Sequence, residues 1–404
     1  MQTIYADNNA TTAVAPEVFE ALVPFLTEIY FNPSSMYEPA RQAGEAISHA
    51  RRTICHALNA GSPKQILFTG SATESNNTAI FGAVRANAGR RQIVTTAVEH
   101  PAVLEVCKDL ERAGHPVTYV SVDRDGKLDI REFVRALNSE TLLVSVMYAN
   151  NETGVIFPVA DLSRLTKETD PSIIFHTDAT QAVGKLPLDL RGNLQHVDLL
   201  SFSGHKLHAP KGVGALYLRA GTRCRPTMIG GHQEEGRRAG TENVPYIVGL
   251  GQAVKLALEN MDDEARVRGM RDRLEQGLQQ AISHVEVNGK NAPRLPNTLN
   301  IACHYIEGEG ILYQLSSHGI CASSGSACTS GSLEPSHVLR AMDVPFSAVH
   351  GSIRFSLSRY NTMEEVERII EVLPPIVRNL RKLSPYWDTK TDAPRSDPEA
   401  PARA

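Results

Sequence analysis

The sequence predicts an α/β protein built around a mostly parallel β-sheet, and three observations support that fold class. Apolar segments rich in β-branched residues alternate with helix-like segments over residues 64–220. The chain has 404 residues, of which 42% are hydrophobic and 21% charged, as in an ordinary globular enzyme with a large core. No apolar run approaches the roughly 18 residues of a membrane span. We therefore expect ligands to bind beyond the carboxyl ends of the strands.

The elements of the large domain follow one another in a regular order. Strands are predicted at 65–68, 92–95, 117–120, 142–147, 173–176, 197–202 and 214–218. Helical patterns lie between several of these strands. That order predicts crossover connections, and hence parallel neighbours in the sheet.

The sequence pattern changes after about residue 260, which predicts a second and smaller α/β domain. A row of apolar residues at helical spacing precedes two short strands at 297–302 and 352–357. The row consists of Val267, Leu274, Leu278 and Ile282. A last helix is expected to begin at a capping box of Thr362 and Glu365. Its apolar row, which consists of Val366, Ile369, Ile370 and Leu373, is expected to be interrupted by Pro374 and Pro375.

These patterns divide the chain into two domains and a tail. The large domain is predicted to span residues 15–260, and the small domain residues 261–387 together with residues 1–14. Residues 388–404 are rich in Pro, Asp, Ala and basic residues and poor in apolar ones, so we expect this tail to be disordered.

Charge and cysteine usage exclude several classes of protein. The formal net charge is −4, from 41 basic and 45 acidic residues, which does not suggest nucleic-acid binding. Six cysteines in so long a chain, with no Cys-x-x-Cys pair, indicate neither a disulfide scaffold nor a structural zinc site. Residues 1–12 lack the basic and apolar regions of a secretory signal. We expect a cytoplasmic protein with no membrane or nucleic-acid partner.

Two polar residues at predicted strand ends suggest a covalently bound cofactor. Lys206 ends the sequence Ser-Phe-Ser-Gly-His-Lys, a setting that suits a Schiff-base lysine or a surface lysine in a turn. Asp178 follows a buried strand, where a carboxylate needs a cationic partner such as a protonated pyridinium nitrogen. The alternative is that Asp178 or Thr177 caps a helix.

Two turns have the composition of phosphate-binding sites. Residues 69–77 open a helical pattern, with Ser71 and Glu74 at capping-box spacing. Free N–H groups at such a helix start also bind phosphate, although the lysine of a P-loop is missing. The turn at 236–243, with its two arginines, precedes another helical stretch. Helix capping and solvation of the arginines explain these turns equally well.

Two loop residues suit contact with a flat cofactor. His100, in the sequence Glu-His-Pro, would stack on a ring or transfer protons, or serve a structural role. Asn151 lies in a turn, from which its amide would hydrogen-bond a ring substituent.

A cysteine and an arginine complete the set of candidates. Cys328 lies in the small, polar run 322–332, and this setting favours a nucleophile or carrier over a packing residue. Arg354 lies inside a predicted strand and needs a carboxylate partner, either from a substrate or from a structural Asp or Glu. An aldehyde-capturing lysine, a strand-end aspartate, a phosphate turn and an arginine are together the parts of a pyridoxal-phosphate site that acts on an amino acid.

The chain resembles the cysteine desulfurases of the NifS/IscS type, in the class-V aminotransferase family. The matching segments occur in the order and spacing of that family and cover nearly the whole chain up to Trp387. They are 7–12, 71–76, 99–101, 150–154, 178–185, 201–214, 237–244, 294–300, 323–336 and 354–358. The ending Leu-Ser-Pro-Tyr-Trp is similar to that of the nitrogen-fixation branch.

The resemblance implies fold type I of the pyridoxal-phosphate-dependent transferases, with a seven-stranded sheet, as a homodimer. It implies that Lys206 holds the cofactor aldehyde, Asp178 pairs with the pyridine nitrogen, Gln181 contacts the ring hydroxyl and His100 stacks on the ring. The implied contacts of the cofactor phosphate and its surroundings are Ala72, Thr73, Ser203, Gly204, His205 and Thr241 of the partner subunit. Asn151 would lie near cofactor and substrate, and Arg354 would bind the substrate carboxylate.

The implied reaction converts L-cysteine into L-alanine and a persulfide on Cys328, with His100 assisting the thiol protons. The sulfur would pass to an iron–sulfur scaffold of the NifU/IscU kind, with nitrogenase maturation as the expected destination. Cys328 is also a candidate transient ligand of a cluster iron. A selenocysteine lyase or another lyase of the same fold would not depend on Cys328. A non-catalytic sulfur carrier would not depend on Lys206.

Overall fold

A computed structural model describes residues 3–324 and 335–395 of the chain. The strands are β1 (Ile4–Tyr5), β2 (Ile66–Thr69), β3 (Gln92–Thr96), β4 (Val117–Val120), β5 (Thr141–Ser145), β6 (Ile174–Asp178), β7 (Leu199–Ser203), β8 (Gly214–Leu218), β9 (Val285–Val287), β10 (Thr298–Cys303), β11 (Ile320–Cys321), β12 (Ser323–Ser324), β13 (Ser352–Ser356), β14 (Trp387–Asp388) and β15 (Ala393–Pro394). The α-helices are α1 (Pro16–Leu22), α2 (Pro24–Thr27), α3 (Glu38–Ala57), α4 (Ala72–Ala86), α5 (Pro101–Arg112), α6 (Ile130–Ala136), α7 (Val159–Thr169), α8 (Val244–Glu259), α9 (Asp263–Ala281), α10 (Gly308–Ser317), α11 (His337–Ala341), α12 (Phe346–Val349) and α13 (Met363–Leu383).

The largest sheet has the strand order β2-β8-β7-β6-β5-β3-β4 within the described residues. Strand β8 runs antiparallel to both of its neighbours, and the other neighbours are parallel. The predicted seven-stranded, mostly parallel α/β sheet is therefore confirmed. Strand β5 ends at Ser145, two residues before the predicted end, because the apolar run continues as Val146 and Met147 into a buried loop.

Helices cover both faces of this sheet. Every residue of β3, β5, β6 and β7 is buried, as expected for parallel strands between two helical layers. Neighbouring residues belong to different cores: Leu143 packs with Ile93 on one face, and Val144 packs with Val94 on the other.

A second sheet, with the order β12-β13-β10-β9, forms the small domain with α9, α10 and α13. The N-terminal segment joins it, because β1 pairs in parallel with β11 and Ala6 lies in the same apolar core. The capping box of Thr362 and Glu365 is confirmed. The expected interruption at Pro374 and Pro375 is wrong, since α13 continues to Leu383. Its apolar side is held in the small-domain core on both sides of the two prolines.

The chain remains ordered beyond the predicted domain end. Trp387 is buried under the guanidinium of Arg381, whose Cζ lies 4.6 Å from the ring centroid, and its Nε1 donates to Asp392 Oδ1 at 3.1 Å. Strands β14 and β15 pair as a short hairpin over this anchor. The predicted disordered tail is therefore wrong for residues 388–395, while residues 396–404 lie outside the described part. Among the described residues, no helix is long and apolar enough to cross a membrane.

Candidate active site

A cavity of about 1080 Å³ opens at the carboxyl ends of the parallel strands. The loops that follow β2, β3, β5, β6 and β7 contribute to its walls, together with β13 of the small domain. This is the edge at which ligands bind in parallel α/β sheets. The predicted residues that line the cavity are Ala72, Thr73, His100, Asn151, Asp178, Gln181, Ser203, His205, Lys206 and Arg354.

Lys206 ends a 3-10 turn (Gly204–Lys206) that follows β7 directly. Its Nζ donates to the carbonyl oxygens of Asn9 at 2.6 Å and Ala10 at 2.5 Å. Gly204 permits the tight turn, because a Cβ at this position would lie 3.0 Å from the side chains of Ala209 and Val213. The turn thus brings the amine of Lys206 into the cavity.

Asp178 is the last residue of β6, and it is buried. Its Oδ2 accepts from Asn76 Nδ2 at 2.7 Å, and its Oδ1 accepts from the Thr180 N–H at 2.9 Å. No described helix begins at this strand end, so the capping alternative for Asp178 and Thr177 is wrong. Two neutral donors hold the carboxylate at the cavity wall, where a cation is its natural partner.

The start of α4 forms part of the cavity wall. Ser71 caps the helix by accepting from the Glu74 N–H at 3.1 Å. The Glu74 side chain does not complete the expected capping box. It accepts instead from the Gly70 N–H at 2.7 Å and pairs with Arg238 at 2.8 Å. Helix α4 is 15 residues long, and the free N–H groups at its start, from Ala72, can bind an anion.

Two histidines of the cavity are neutral at pH 7. Burial, with the nearby Lys206 ammonium, lowers the pKa of His205 to about 4, and its Nδ1 lies 3.1 Å from Thr11 Oγ1. Burial also lowers the pKa of His100. His100 Nδ1 accepts from the Ala102 N–H at 3.1 Å, so the proton of the neutral ring lies on Nε2. The neutral His100 ring therefore carries its proton on Nε2, at the wall of the cavity.

Arg354 enters the cavity from β13, where it is buried. It donates to Asp7 Oδ1 at 2.7 Å and to the Asn151 carbonyl oxygen at 3.0 Å. Its Nε is buried and has no hydrogen-bond partner among the described residues. The sequence left open whether Arg354 pairs with a structural carboxylate or with a substrate. The structure shows a structural partner, Asp7, and Arg354 still has an N–H group with which it can bind a substrate carboxylate.

Among the described residues, the predicted Gly204 and Thr241 do not line this cavity. Thr241 lines a separate cavity of about 190 Å³ beside Arg238 and Glu242, so this chain alone does not bring it to Lys206. Cys328 lies outside the described residues. Among the residues that line the cavity, Pro335, Ser336 and His337 are those that follow Cys328 most closely in the sequence.

Burial makes three other cysteines poor nucleophiles. It raises the pKa of Cys107 and of Cys303 to about 12, and that of Cys224 to about 11. Their thiols stay protonated at neutral pH, as expected for packing residues. In the described ranges, no group of three or more His, Cys, Asp or Glu side chains is arranged for a metal ion.

Sequence reasoning gave no role to Asn9 and Lys185, which contact residues of the cavity wall. Asn9 connects Lys206 with Gln181, whose Nε2 donates to the Asn9 carbonyl oxygen at 3.1 Å. Lys185 Nζ in turn donates to Gln181 Oε1 at 2.8 Å. Asn9 and Lys185 lie in matching segments of the resemblance, but their contacts join distant parts of the chain.

Two buried carboxyl groups were also missed. Burial raises the pKa of Glu99 to about 8, although its Oε1 accepts from the Met147 N–H at 2.8 Å. Burial likewise raises the pKa of Glu152 to about 7, and its Oε2 accepts from Ser336 Oγ at 2.5 Å. Each of them is adjacent in the sequence to a predicted site residue, His100 or Asn151, and this adjacency was the signal that could have identified them.

Comparison with known proteins agrees with this geometry. Residues 4–369 match the model of the family described as aminotransferase class-V. A protein of Trichormus variabilis, described as cysteine desulfurase 2, is 54% identical over 392 residues, which cover 97% of each chain. The cysteine desulfurase NifS of Azotobacter vinelandii is 52% identical over 399 residues, 98% of each chain.

Solved structures show the same fold. A NifS-like protein superposes with a TM-score of 0.88 at 38% identity, over 94% of this chain and 100% of that one. A structure described as SspA in complex with cysteine has a TM-score of 0.78 at 34% identity, over 89% of this chain and 100% of that one.

The chain therefore belongs to the class-V aminotransferases, with the fold of the pyridoxal-phosphate-dependent transferases. Within that family it belongs with the cysteine desulfurases, which use pyridoxal phosphate.

The cavity fits pyridoxal phosphate on its own evidence. It offers an amine for the aldehyde at Lys206, a carboxylate for the ring nitrogen at Asp178, and the α4 start for the phosphate. Asn76 Oδ1 and Thr180 Oγ1, both on residues of the cavity wall, are buried without a hydrogen-bond partner among the described residues. Buried polar atoms normally have partners, so these two indicate a polar ligand.

Proposed function

We propose that this desulfurase takes sulfur from L-cysteine onto Cys328 as a persulfide and releases L-alanine. The observation that carries the proposal is that Lys206, Asp178 and Arg354 line one cavity. These groups match the aldehyde, the ring nitrogen and the amino-acid carboxylate that such a reaction must hold. A similar solved structure, SspA, is described in complex with cysteine.

The proposed roles of the chain's own residues follow from their positions. Pyridoxal phosphate, held through its aldehyde, supplies an electron sink for negative charge at the substrate Cα. Lys206 provides the amine that holds the aldehyde and accepts the Cα proton when released. Asp178 keeps the ring nitrogen protonated. Arg354 Nε and its neighbouring N–H groups orient the substrate carboxylate.

The phosphate and ring contacts are part of the same proposal. We assign the phosphate to the α4 start and to the β7 turn, together with Thr241 of the partner subunit. The remaining ring contacts are Gln181 at the ring hydroxyl, Asn151 beside the substrate, and His100 on the ring face. The Nε2 proton of His100 gives it a donor for the thiol chemistry.

Cys328 is proposed as the nucleophile. Its thiolate attacks the substrate sulfur, so that the new S–S bond forms as the C–S bond of the substrate breaks. The electron pair and a proton remain with the carbon product, which becomes alanine, and the reaction needs no external oxidant or reductant. The raised thiol pKa values of Cys107, Cys224 and Cys303 support the choice of Cys328.

We further propose the setting of the reaction. The enzyme would work as a cytoplasmic homodimer, with domains at 15–260 and at 1–14 with 261–387. Its persulfide would pass to an iron–sulfur scaffold of the NifU/IscU kind, and the similarity to NifS supports a role in nitrogenase maturation. Cys328 would also be the residue that ligates a cluster iron transiently.

The test uses purified holoenzyme with L-cysteine and no added reductant. Alanine and protein-bound persulfide are quantified for the wild type, Lys206→Ala and Cys328→Ala. With one equivalent of L-cysteine per active site, we expect equal amounts of both products in the wild type and neither in the variants. Alanine that survives Cys328→Ala indicates a lyase that expels sulfur or selenium directly. Bound sulfur without alanine, unchanged in Lys206→Ala, indicates a carrier.

A further inference from the structure

The backbone carbonyl of Asn9 is shared by two groups at the cofactor end of the cavity. Its oxygen accepts from Lys206 Nζ at 2.6 Å and from Gln181 Nε2 at 3.1 Å. Lys206 and Gln181 come from different loops of the large sheet, about 200 and 170 residues along the chain from Asn9. One atom of the N-terminal segment thus contacts both groups, while the Ala10 carbonyl is a second acceptor for Lys206.

The other polar atoms of Asn9 are also engaged. Its side-chain Nδ2 donates to the Asn151 carbonyl oxygen at 3.1 Å and to Thr298 Oγ1 at 2.9 Å. Its Oδ1 accepts from Asn297 Nδ2 at 3.0 Å, and its backbone N–H donates to Ser356 Oγ at 2.9 Å. Asn9 is 1% exposed, so each lost contact would leave a buried polar group unpaired.

The Asn151 carbonyl links Asn9 to the substrate end of the cavity. This oxygen accepts from Arg354 Nη1 at 3.0 Å as well as from Asn9 Nδ2. Arg354, Thr298 and the Ser356 hydroxyl belong to strands of the small-domain sheet, whereas Asn151 follows β5 of the large sheet. A continuous hydrogen-bonded path thus runs from Arg354 through Asn151 and Asn9 to Lys206.

We propose that Asn9 is a positioning residue that fixes the substrate-carboxylate group Arg354 relative to Lys206 across the boundary between the two sheets. The proposal rests on the proposed function, in which Arg354 binds the substrate carboxylate. The backbone carbonyl of Asn9 contacts Lys206 Nζ, but its side chain contacts neither Lys206 nor Arg354 directly. Asn9 acts through the Asn151 carbonyl on one side and its own carbonyl on the other.

The substitution Asn9→Asp tests this with little change in shape. Aspartate keeps the acceptor for Asn297, but it cannot donate to Asn151, and it places a negative charge against that carbonyl. Losing such buried donors, at about 1–3 kcal/mol, corresponds to a roughly 10- to 100-fold weaker binding of an amino-acid carboxylate. The cofactor aldehyde would still bind to Lys206 in this variant.

Asn8→Asp is the matched control. Asn8 is the adjacent residue, is also buried, and donates from Nδ2 to the Ser356 carbonyl oxygen at 2.9 Å. Its further Nδ2 contacts are with Tyr5 and Asn361, and neither of these residues lines the large cavity. The control therefore imposes a similar change of charge on the same segment without removing a hydrogen bond of the path from Arg354 to Lys206.

The measurement is a titration of each holoenzyme with L-alanine, followed by the absorbance and the visible circular dichroism of the bound cofactor, with Tm measured alongside. We expect the apparent Kd to rise 10- to 100-fold in Asn9→Asp and to stay within twofold in Asn8→Asp, while both variants lower Tm. An Asn9→Asp value within twofold of the wild type, or equal shifts in both variants, would overturn the proposal.

A second variant keeps the test decisive if Asn9→Asp does not fold. Thr298→Val is nearly isosteric and removes the hydroxyl that accepts from Asn9 Nδ2 and donates to Asn297 Oδ1. It is expected to raise the apparent Kd for L-alanine about 3- to 10-fold, and an unchanged Kd would contradict the proposal. Failure of the proposed function would appear separately, as a wild type that forms no alanine from L-cysteine.

Discussion

Glu99 offers a prediction that follows directly from its surroundings. Its carboxyl group is fully buried one residue before His100. Thr96 Oγ1 and the Met147 N–H donate to Oε1, at 2.9 and 2.8 Å. Oε2 is buried and has no hydrogen-bond partner among the described residues. Burial therefore raises the pKa of Glu99 from its ordinary value of 4.5 to about 8, despite the two donors.

The sign of the effect on stability follows from proton binding. Between the unfolded and folded pKa values, the folded state binds one more proton at Glu99 than the unfolded state, so stability falls as pH rises from about 4.5 to about 8. At about 1.4 kcal/mol per pH unit, the loss reaches about 3 to 5 kcal/mol above pH 8. Glu99→Gln removes this loss, because the amide keeps the Oε1 acceptor and carries no charge to bury.

The assay is urea unfolding of both proteins at pH 5, 7 and 9, at one protein concentration. The variant should be close to the wild type at pH 5 and more stable at pH 9 by about 3 to 5 kcal/mol. Glu20→Gln, at an exposed position of α1, is the control and should give a difference that does not change with pH. A Glu99→Gln difference that stays within about 1 kcal/mol from pH 5 to 9 would refute the reasoning.

Three further substitutions probe the cavity. Arg354→Lys keeps the charge but loses the fork that reaches Asp7 and Asn151, so the KM for L-cysteine should rise about 10- to 100-fold with a smaller change in kcat, measured by steady-state kinetics. An unchanged KM would remove Arg354 from substrate binding. Lys185→Met removes the donor to Gln181 Oε1 and should weaken cofactor retention several-fold in equilibrium dialysis, with partial rescue by Lys185→Arg. Equal retention in all three proteins would contradict that role. Asp178→Asn removes the buried charge opposite the ring nitrogen and should lower kcat by about a hundred- to a thousandfold, and a kcat within threefold of the wild type would argue against the pairing.

The sequence predicted the sheet and much of the cavity because both depend on local patterns. Apolar runs mark buried strands, and a lysine or aspartate at a strand end must lie at the ligand-binding edge. This is why the positions of Lys206 and Asp178 made them candidates, with a surface lysine and a helix cap as the alternatives. The cofactor contacts assigned by resemblance, such as Gln181, also line the same cavity.

Other features depend on contacts between distant residues. Asn9 gains its partners at residues 151, 181, 206 and 298, and no pattern near residue 9 contains that information. The helix α13 continues through Pro374 and Pro375 because its apolar side packs into the small-domain core, which outweighs the missing backbone donors. The ordered structure of residues 388–395 likewise depends on a distant contact, the packing of Trp387 under the guanidinium of Arg381.

The central claim is that sulfur leaves L-cysteine for Cys328. We would treat the wild-type holoenzyme with one equivalent of L-cysteine carrying isotopically labelled sulfur, digest the protein without reductant, and locate the label by mass spectrometry. The account predicts one labelled sulfur atom added to the peptide that contains Cys328, in an amount equal to the alanine formed. Alanine with the label released as free sulfide, and an unmodified Cys328 peptide, would contradict it.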